Sequence, residues 1–292
     1  MTGIQSPTPP TPMVDAAPTP RDTRHPLVKI ERLSVDFGRL RVLRDIDLEI
    51  PRGQTLAVIG ESGCGKTVLL KTIIGLLRPT RGSVSFDGQD LAGLSDRELA
   101  RLRTRFGFLF QGAALFDSMT VARNVSFPLR QHADRGEEEM RGIVAARLAE
   151  VGLGDDVMEK RPAELSGGMR KRVGLARALA LEPEIILYDE PTTGLDPIMS
   201  DVINELILST RHHHPVTSVV VTHDMRTAQK VADRVVMLYP LERLREDERQ
   251  IRYEGPPEKI DEAADPRVTQ FVRGEARERL MEMQGRAEVS KG

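Results

Sequence analysis

Leu56-Ala57-Val58-Ile59-Gly60-Glu61-Ser62-Gly63-Cys64-Gly65-Lys66-Thr67-Val68-Leu69-Leu70-Lys71 is the stretch on which the fold turns. Four apolar residues read as a buried strand, Val68 onward reads as a helix, and between them Gly60 to Thr67 spell G-x-x-x-x-G-K-[ST]. Glycines in such a loop let the backbone wrap an anion with its N–H groups, and the start of the following helix adds a partial positive charge. The pattern places Lys66 on the β- and γ-phosphates of a nucleotide and the Thr67 hydroxyl on Mg2+. Cys64 has two readings: a small residue that fits the loop, or a thiol made reactive by the helix start.

Outward from this loop, short apolar runs rich in β-branched residues alternate with longer helical stretches. Strands are expected at residues 28–37, 56–59, 106–110, 185–188, 216–221 and 235–238, and helices after Gly65, Gly167, Pro197 and Asp224. Strands apolar on both faces and separated by helices predict an α/β fold with a largely parallel sheet. Residues 117–165 read instead as mainly helical, with the charge run Glu137-Glu138-Glu139, and form an inserted subdomain extending to about residue 180. Residues 1–26 hold seven prolines and few large apolar side chains, which predicts a disordered tail. The main domain is expected over 27–260, followed by a C-terminal tail at 261–292. Within it, residues 275–288 read as a charged helix, either solvated or in a subunit contact. Residues 241–252, rich in Arg and Glu, read as a solvated connection, and His212-His213-His214 as a polar turn.

A second chemical signal is Ile185-Ile186-Leu187-Tyr188-Asp189-Glu190, an apolar strand ending in two acids. In an open parallel sheet, ligands gather at the carboxyl ends of strands. Asp189 is expected to hold Mg2+, and Glu190 to orient and deprotonate an attacking water. Two acids at the end of a buried strand are costly without a cation nearby.

Further pieces fall in a fixed order along the chain. Leu165-Ser166-Gly167-Gly168-Met169 resembles the LSGGQ signature of ABC ATPases, Gln111 is placed like the Q-loop glutamine, Gly194-Leu195-Asp196 like the D-loop, and His223 like the switch histidine. Phe37, followed by Gly38, resembles the aromatic that stacks on adenine. The resemblance covers roughly residues 27–274 and implies a P-loop NTPase fold: an ABC-type nucleotide-binding domain with an inserted helical subdomain and an antiparallel β edge. It also implies ATP and Mg2+ as cofactors, with Gln111 beside the metal and Glu190, Gln111 and His223 serving hydrolysis. Ser166, Gly167, Gly168 and Asp196 would contact nucleotide, the signature of one subunit capping the γ-phosphate held by the other in a head-to-tail homodimer. Met169 replaces the usual Gln, and Thr193-Gly194 replace the common Ser-Ala; neither change removes a backbone N–H or an acid, so activity is expected to survive.

Sequence around these motifs narrows the resemblance. Leu165 to Arg172, Phe110 to Val121, Asn124 to Arg130 and Asp265 to Phe271 are similar to the ATPase of Mla/MCE-type systems, which move phospholipids or related lipids between bacterial membranes. That resemblance implies an integral-membrane permease, an MCE-domain lipid-binding protein and, in some systems, a STAS-domain partner. An ABC importer ATPase for amino acids or another small solute is the alternative, since it would share every catalytic residue. A net charge of −2 carries no basic surplus, so a nucleic-acid partner is not expected. One cysteine excludes an intrachain disulfide, and the longest apolar runs fall far short of the roughly 18 residues that cross a bilayer. With no basic and apolar leader at the N-terminus, the expectation is a cytoplasmic protein held on the inner face of the membrane through a permease.

Overall fold

The structure is a computed structural model that describes residues 25–275. Most of the Pro-rich tail and of the charged segment expected at 275–288 lies outside the described residues. The chain begins with an antiparallel pair, β1 (Val28–Phe37) and β2 (Leu40–Ile50), followed by β3 (Thr55–Ile59) and α1 (Lys66–Ile73). The short strands β4 (Arg81–Phe86) and β5 (Gln89–Asp90) return to the first sheet, giving the order β2-β1-β4-β5. After α2 (Asp96–Arg103) and β6 (Phe106–Leu109) come the helices α3 (Val121–His132), α4 (Glu137–Glu150) and α5 (Gly167–Leu179). β7 (Ile185–Asp189), α6 (Pro197–His213), β8 (Thr217–Thr222), α7 (Met225–Val231), β9 (Arg234–Leu238), β10 (Ile251–Gly255) and α8 (Pro266–Arg273) complete it.

The second sheet has the order β10-β9-β3-β8-β7-β6, parallel except for the antiparallel edge strand β10. Its central strands are apolar throughout because both faces are covered. Along β7, Ile185 and Leu187 point into a core shared with Leu69, Leu70 and Ile73 of α1 and with β1 and β2. Ile186 and Tyr188 point the other way, against Val173 and Ala176 of α5 and Ile203 and Ile207 of α6. The strand β3 lies between β8 and β9, so the phosphate loop that follows it opens at the carboxyl end of the sheet, where ligands collect.

β2, β4, β5 and β10 add strands at positions where none was expected. In β2, Leu43, Ile46, Leu48 and Ile50 are buried while the residues between them face outward, the period of a sheet with one wet face. Residues 212–214 also differ from a polar turn. His212 and His213 complete the last turn of α6, where His213 Nδ1 donates to the Ser209 carbonyl (2.7 Å), and His214 caps the helix and meets Glu150 (3.2 Å).

Residues 241–252 are tied into the body. Gln250 is 1% exposed, and Arg252 pairs with both Asp265 and Glu248 (3.6 Å). Arg267 also pairs with Asp265 (2.9 Å) and Glu248 (2.8 Å) and lies over the Tyr239 ring. Burial raises the Asp265 carboxyl, yet bonds from Arg267 and Arg252 outweigh it and hold the group down at about 2. An unfolded aspartate titrates near about 3.9, so this contribution to stability is complete above that pH and is lost as pH falls through about 2. Asp265→Asn, which keeps the helix cap, is expected to flatten that loss in denaturant unfolding measured from pH 5 to pH 2.

Candidate active site

Backbone conformation fixes the phosphate loop before any side chain acts. Gly60 has φ 145°, and a Cβ there would stand 2.2 Å from the Leu238 carbonyl oxygen, so only glycine lets β3 pass β9 at this point. Gly65, at φ 99°, forms the N-cap of α1 and is pressed against Leu43 and Val42 of β2. Val42, Ser62, Gly63, Gly65, Lys66, Thr67, Val68, Gln111, Glu190 and His223 line one cavity of about 290 Å³. The structure therefore gathers residues from the loop, from the end of β6, from the end of β7 and from the end of β8.

Lys66 is 7% exposed and donates to the carbonyls of Gly60 (2.8 Å) and Glu61 (3.1 Å), which holds its ammonium inside the loop. Arg243 pairs with the Glu61 side chain (2.9 Å) on the outer side of the loop. The Gln250 amide donates to the Cys64 carbonyl (3.0 Å) and the Val42 carbonyl (3.1 Å), and accepts from the Arg44 N–H (2.9 Å). One buried side chain thus joins the phosphate loop to β2. Cys64 itself is 1% exposed, and burial pushes its thiol up, which favours the small-residue reading. N-ethylmaleimide is expected to label native protein at pH 8 far more slowly than unfolded protein, with little further protection by nucleotide, as followed by intact-mass spectrometry.

Thr67 Oγ1 donates to Asp189 Oδ1 (3.1 Å), joining the start of α1 to the end of β7. Asp189 is 6% exposed, and burial raises its carboxyl against the pull of the Thr67 hydrogen bond, so a cation beside it would favour the charged form. Among the described residues no group of three or more His, Cys, Asp or Glu could hold a metal alone. A hydroxyl and one carboxylate fit Mg2+, which takes few protein ligands and completes its shell with phosphate oxygens and water.

Glu190 follows with φ 49°, a left-handed conformation rare outside glycine. Its N–H donates to the Val221 carbonyl (2.9 Å), which sets the turn, and its Oε2 accepts from Thr193 Oγ1 (3.0 Å) and meets His223 Nδ1 (2.8 Å). The carboxylate is thereby aimed, with His223 more than half exposed beside it.

Ser166, Gly167, Gly168, Asp196 and Phe37 do not line this cavity. Phe37, 48% exposed, ends β1. Ser166 caps α5, accepting from the Met169 N–H (3.2 Å), while Asp196 caps α6, accepting from Ile198 (3.0 Å) and Met199 (2.9 Å). Those two helix starts touch: a Cβ on Gly168 would stand 2.5 Å from Met199 Cε, and one on Gly167 3.5 Å from Leu195 Cδ2.

Lys171, which the motifs do not single out, is 5% exposed and donates to the Glu190 carbonyl (3.0 Å) and to the Gln111 carbonyl. Burial pulls its ammonium down to about 8, with Glu190 and Asp189 opposing the shift. A lysine directly behind a helix-start motif reads as a solvated charge in sequence; only its place in the fold shows otherwise.

The family model described as ABC transporter matches residues 43–193. The chain belongs to that family, as an ATP-binding subunit and an ATPase. Among its relatives, it is 43% identical over 256 residues to the probable ribonucleotide transport ATP-binding protein mkl of Mycobacterium leprae, across 87% of this chain and 71% of that one. It is 40% identical over 250 residues to the intermembrane phospholipid transport system ATP-binding protein MlaF of Haemophilus influenzae, across 86% and 91%. A solved ATP-binding cassette, dimeric in a post-hydrolysis state with ADP and Pi, superposes with a TM-score of 0.70 at 31% identity, over 79% of this chain and 98% of that one. Among the described residues no helix is long and apolar enough to cross a membrane.

Proposed function

We propose that the chain hydrolyses ATP as a head-to-tail homodimer and drives a membrane permease that moves phospholipid or a related lipid. The observation that carries the dimer is the separation of two anion-binding elements. Lys66, Thr67, Gln111, Glu190 and His223 share one cavity, while the capped start of α5 at Ser166 lies outside it. A second copy would bring its Ser166, Gly167 and Gly168 over the γ-phosphate, with its Asp196 beside them, while Phe37 of the chain that holds the phosphates stacks on the adenine.

In that arrangement the phosphate loop and Lys66 bind the β- and γ-phosphates, and Thr67 and Asp189, with Gln111 as a further contact, would hold Mg2+. The metal would spread the charge that builds on the phosphate oxygens. Glu190, aimed by Thr193 and His223, takes a proton from the water that attacks the γ-phosphate. His223 then steadies the carboxylate and the phosphate together.

Support for a lipid substrate comes from the relative named for intermembrane phospholipid transport, which this chain matches over nearly its full length. Phe110 and Phe116, exposed beside Gln111, offer an apolar surface for the permease, whereas Val121 of the same stretch is fully buried and belongs to the core. An MCE-domain lipid-binding protein and a STAS-domain protein are the further partners proposed.

Purifying the tagged Glu190→Gln chain from native membranes in mild detergent, followed by mass spectrometry of proteins and lipids, tests this. A permease with an MCE-domain protein and bound phospholipid is expected. Recovery with a solute-binding protein and no lipid would overturn the lipid substrate in favour of a small solute.

A further inference from the structure

Helix α5 has two kinds of neighbour. Its start, capped by Ser166, is the element proposed above to meet the partner's nucleotide; its flank grips the loops that serve the chain's own nucleotide. Lys171, Gly174 and Arg177 recur every three residues and so share one face. The Lys171 ammonium bonds the carbonyls of Gln111 and Glu190, which leave the adjacent strands β6 and β7. At Gly174 a Cβ would stand 2.9 Å from Leu109 Cδ1 and 3.2 Å from Ala113 Cβ, so the helix lies directly on the segment after Gln111. Arg177 donates to the carbonyls of Ala113 (2.7 Å) and Ala114 (2.8 Å).

The gripped loops are also where the backbone is strained. Ala113 (φ 61°), Ala114 (φ 46°) and Glu190 (φ 49°) are all left-handed without being glycine. Such residues persist only where their surroundings over-determine them, and here the surroundings include the cations of α5. Coupling between sites can be carried by a rigid secondary element and the hydrogen bonds that it makes. A displacement of the start of α5 therefore carries Lys171 and Arg177 along, and with them the backbone at Gln111 and Glu190.

From this geometry we infer that Lys171 is a positioning residue that couples the two ATP sites of the dimer: nucleotide at the start of α5 sets the placement of Gln111 and Glu190 at the chain's own site. The inference rests on the head-to-tail dimer proposed above. Its consequence is cooperativity between sites that share no side chain.

The test is ATP hydrolysis by the full chain across a range of ATP concentrations. Wild type is expected to show a Hill coefficient approaching about 2, the number of sites. Lys171→Met keeps the length of the side chain and removes its donors; it is expected to lower kcat by about 10²-fold and to bring the Hill coefficient to about 1. Lys171→Gln, which restores N–H donors without charge, is expected to recover part of that cooperativity. Should Lys171→Met fail to fold, the Gln variant decides alone: a Hill coefficient below the wild-type value supports the coupling, and one unchanged from wild type overturns it. A Lys171→Met chain with slow but fully cooperative turnover overturns the inference, as does a wild-type dimer whose sites act independently. The dimer itself is tested separately by light scattering of Glu190→Gln chains with ATP. Absence of a dimer there would remove the dimer reading, whereas a dimer alongside an unchanged Hill coefficient in Lys171→Met would remove only the coupling.

Discussion

Replacing Glu190 with Gln is expected to leave ATP binding intact and to slow phosphate release by about 10³-fold. The amide is nearly isosteric and keeps a contact with Thr193 Oγ1, so the turn at φ 49° has no reason to change. What it loses is a carboxylate that can take the proton of the attacking water. Since Lys66, Thr67 and Asp189 are untouched, the nucleotide stays held, and dimers closed on ATP should accumulate because the step that opens them is blocked. Phosphate release with multi-angle light scattering checks both halves. Turnover at the wild-type rate would mean that another group is the base, and within the cavity His223 would be the next to test.

Ser166→Arg and Lys66→Ala chains are each expected to be inactive, the first because an arginine at the cap blocks the start of α5, the second because the phosphates lose their lysine. Mixed in equal amounts they should regain some turnover, with about a quarter of wild type as the ceiling that applies if the sites act independently, and less where the empty site slows its neighbour. Half of the dimers are then mixed, and each holds one composite site with an intact loop from one chain and an intact helix start from the other. The effect is large against a background near zero. Any recovery above the two single variants requires the start of α5 to act on nucleotide held by the other chain.

The motifs were readable in the sequence because each is a local device: a loop whose glycines must be glycine, a strand that ends in two acids, a helix with a serine cap. The parallel strands were readable for a related reason, since burial on both faces leaves unbroken apolar runs such as Ile185-Ile186-Leu187-Tyr188. β2 escaped because its apolar residues alternate with Arg, Asp and Glu, and β4 and β10 because they are short and polar. The alternation in Leu43, Ile46, Leu48 and Ile50 was a usable signal. No such signal exists for Lys171 or Gln250. Their roles depend on carbonyls 60 and 186 residues away, and polar side chains in charged surroundings read as solvated until the fold encloses them. The same holds for residues 241–252, whose Arg and Glu look like a wet connection and instead lock onto Asp265, Arg267 and the phosphate loop.

The place of β3 in its sheet has a consequence for how the protein is made. Both neighbours of β3, the strands β8 and β9, begin only at residues 217 and 234, and the Gln250 amide that anchors the Cys64 carbonyl comes later still. A ribosome that has released the first two hundred residues has therefore produced the whole nucleotide-binding motif but none of the strands that flank it. During synthesis the growing chain carries an apolar strand without a sheet to join, and contacts this distant in sequence form slowly. Nucleotide can contribute to folding only after residue 250 has been made. The hydrolytic machinery is thus withheld until both flanking strands exist, and a chain cut short before residue 217 carries the motif without the sheet that holds it.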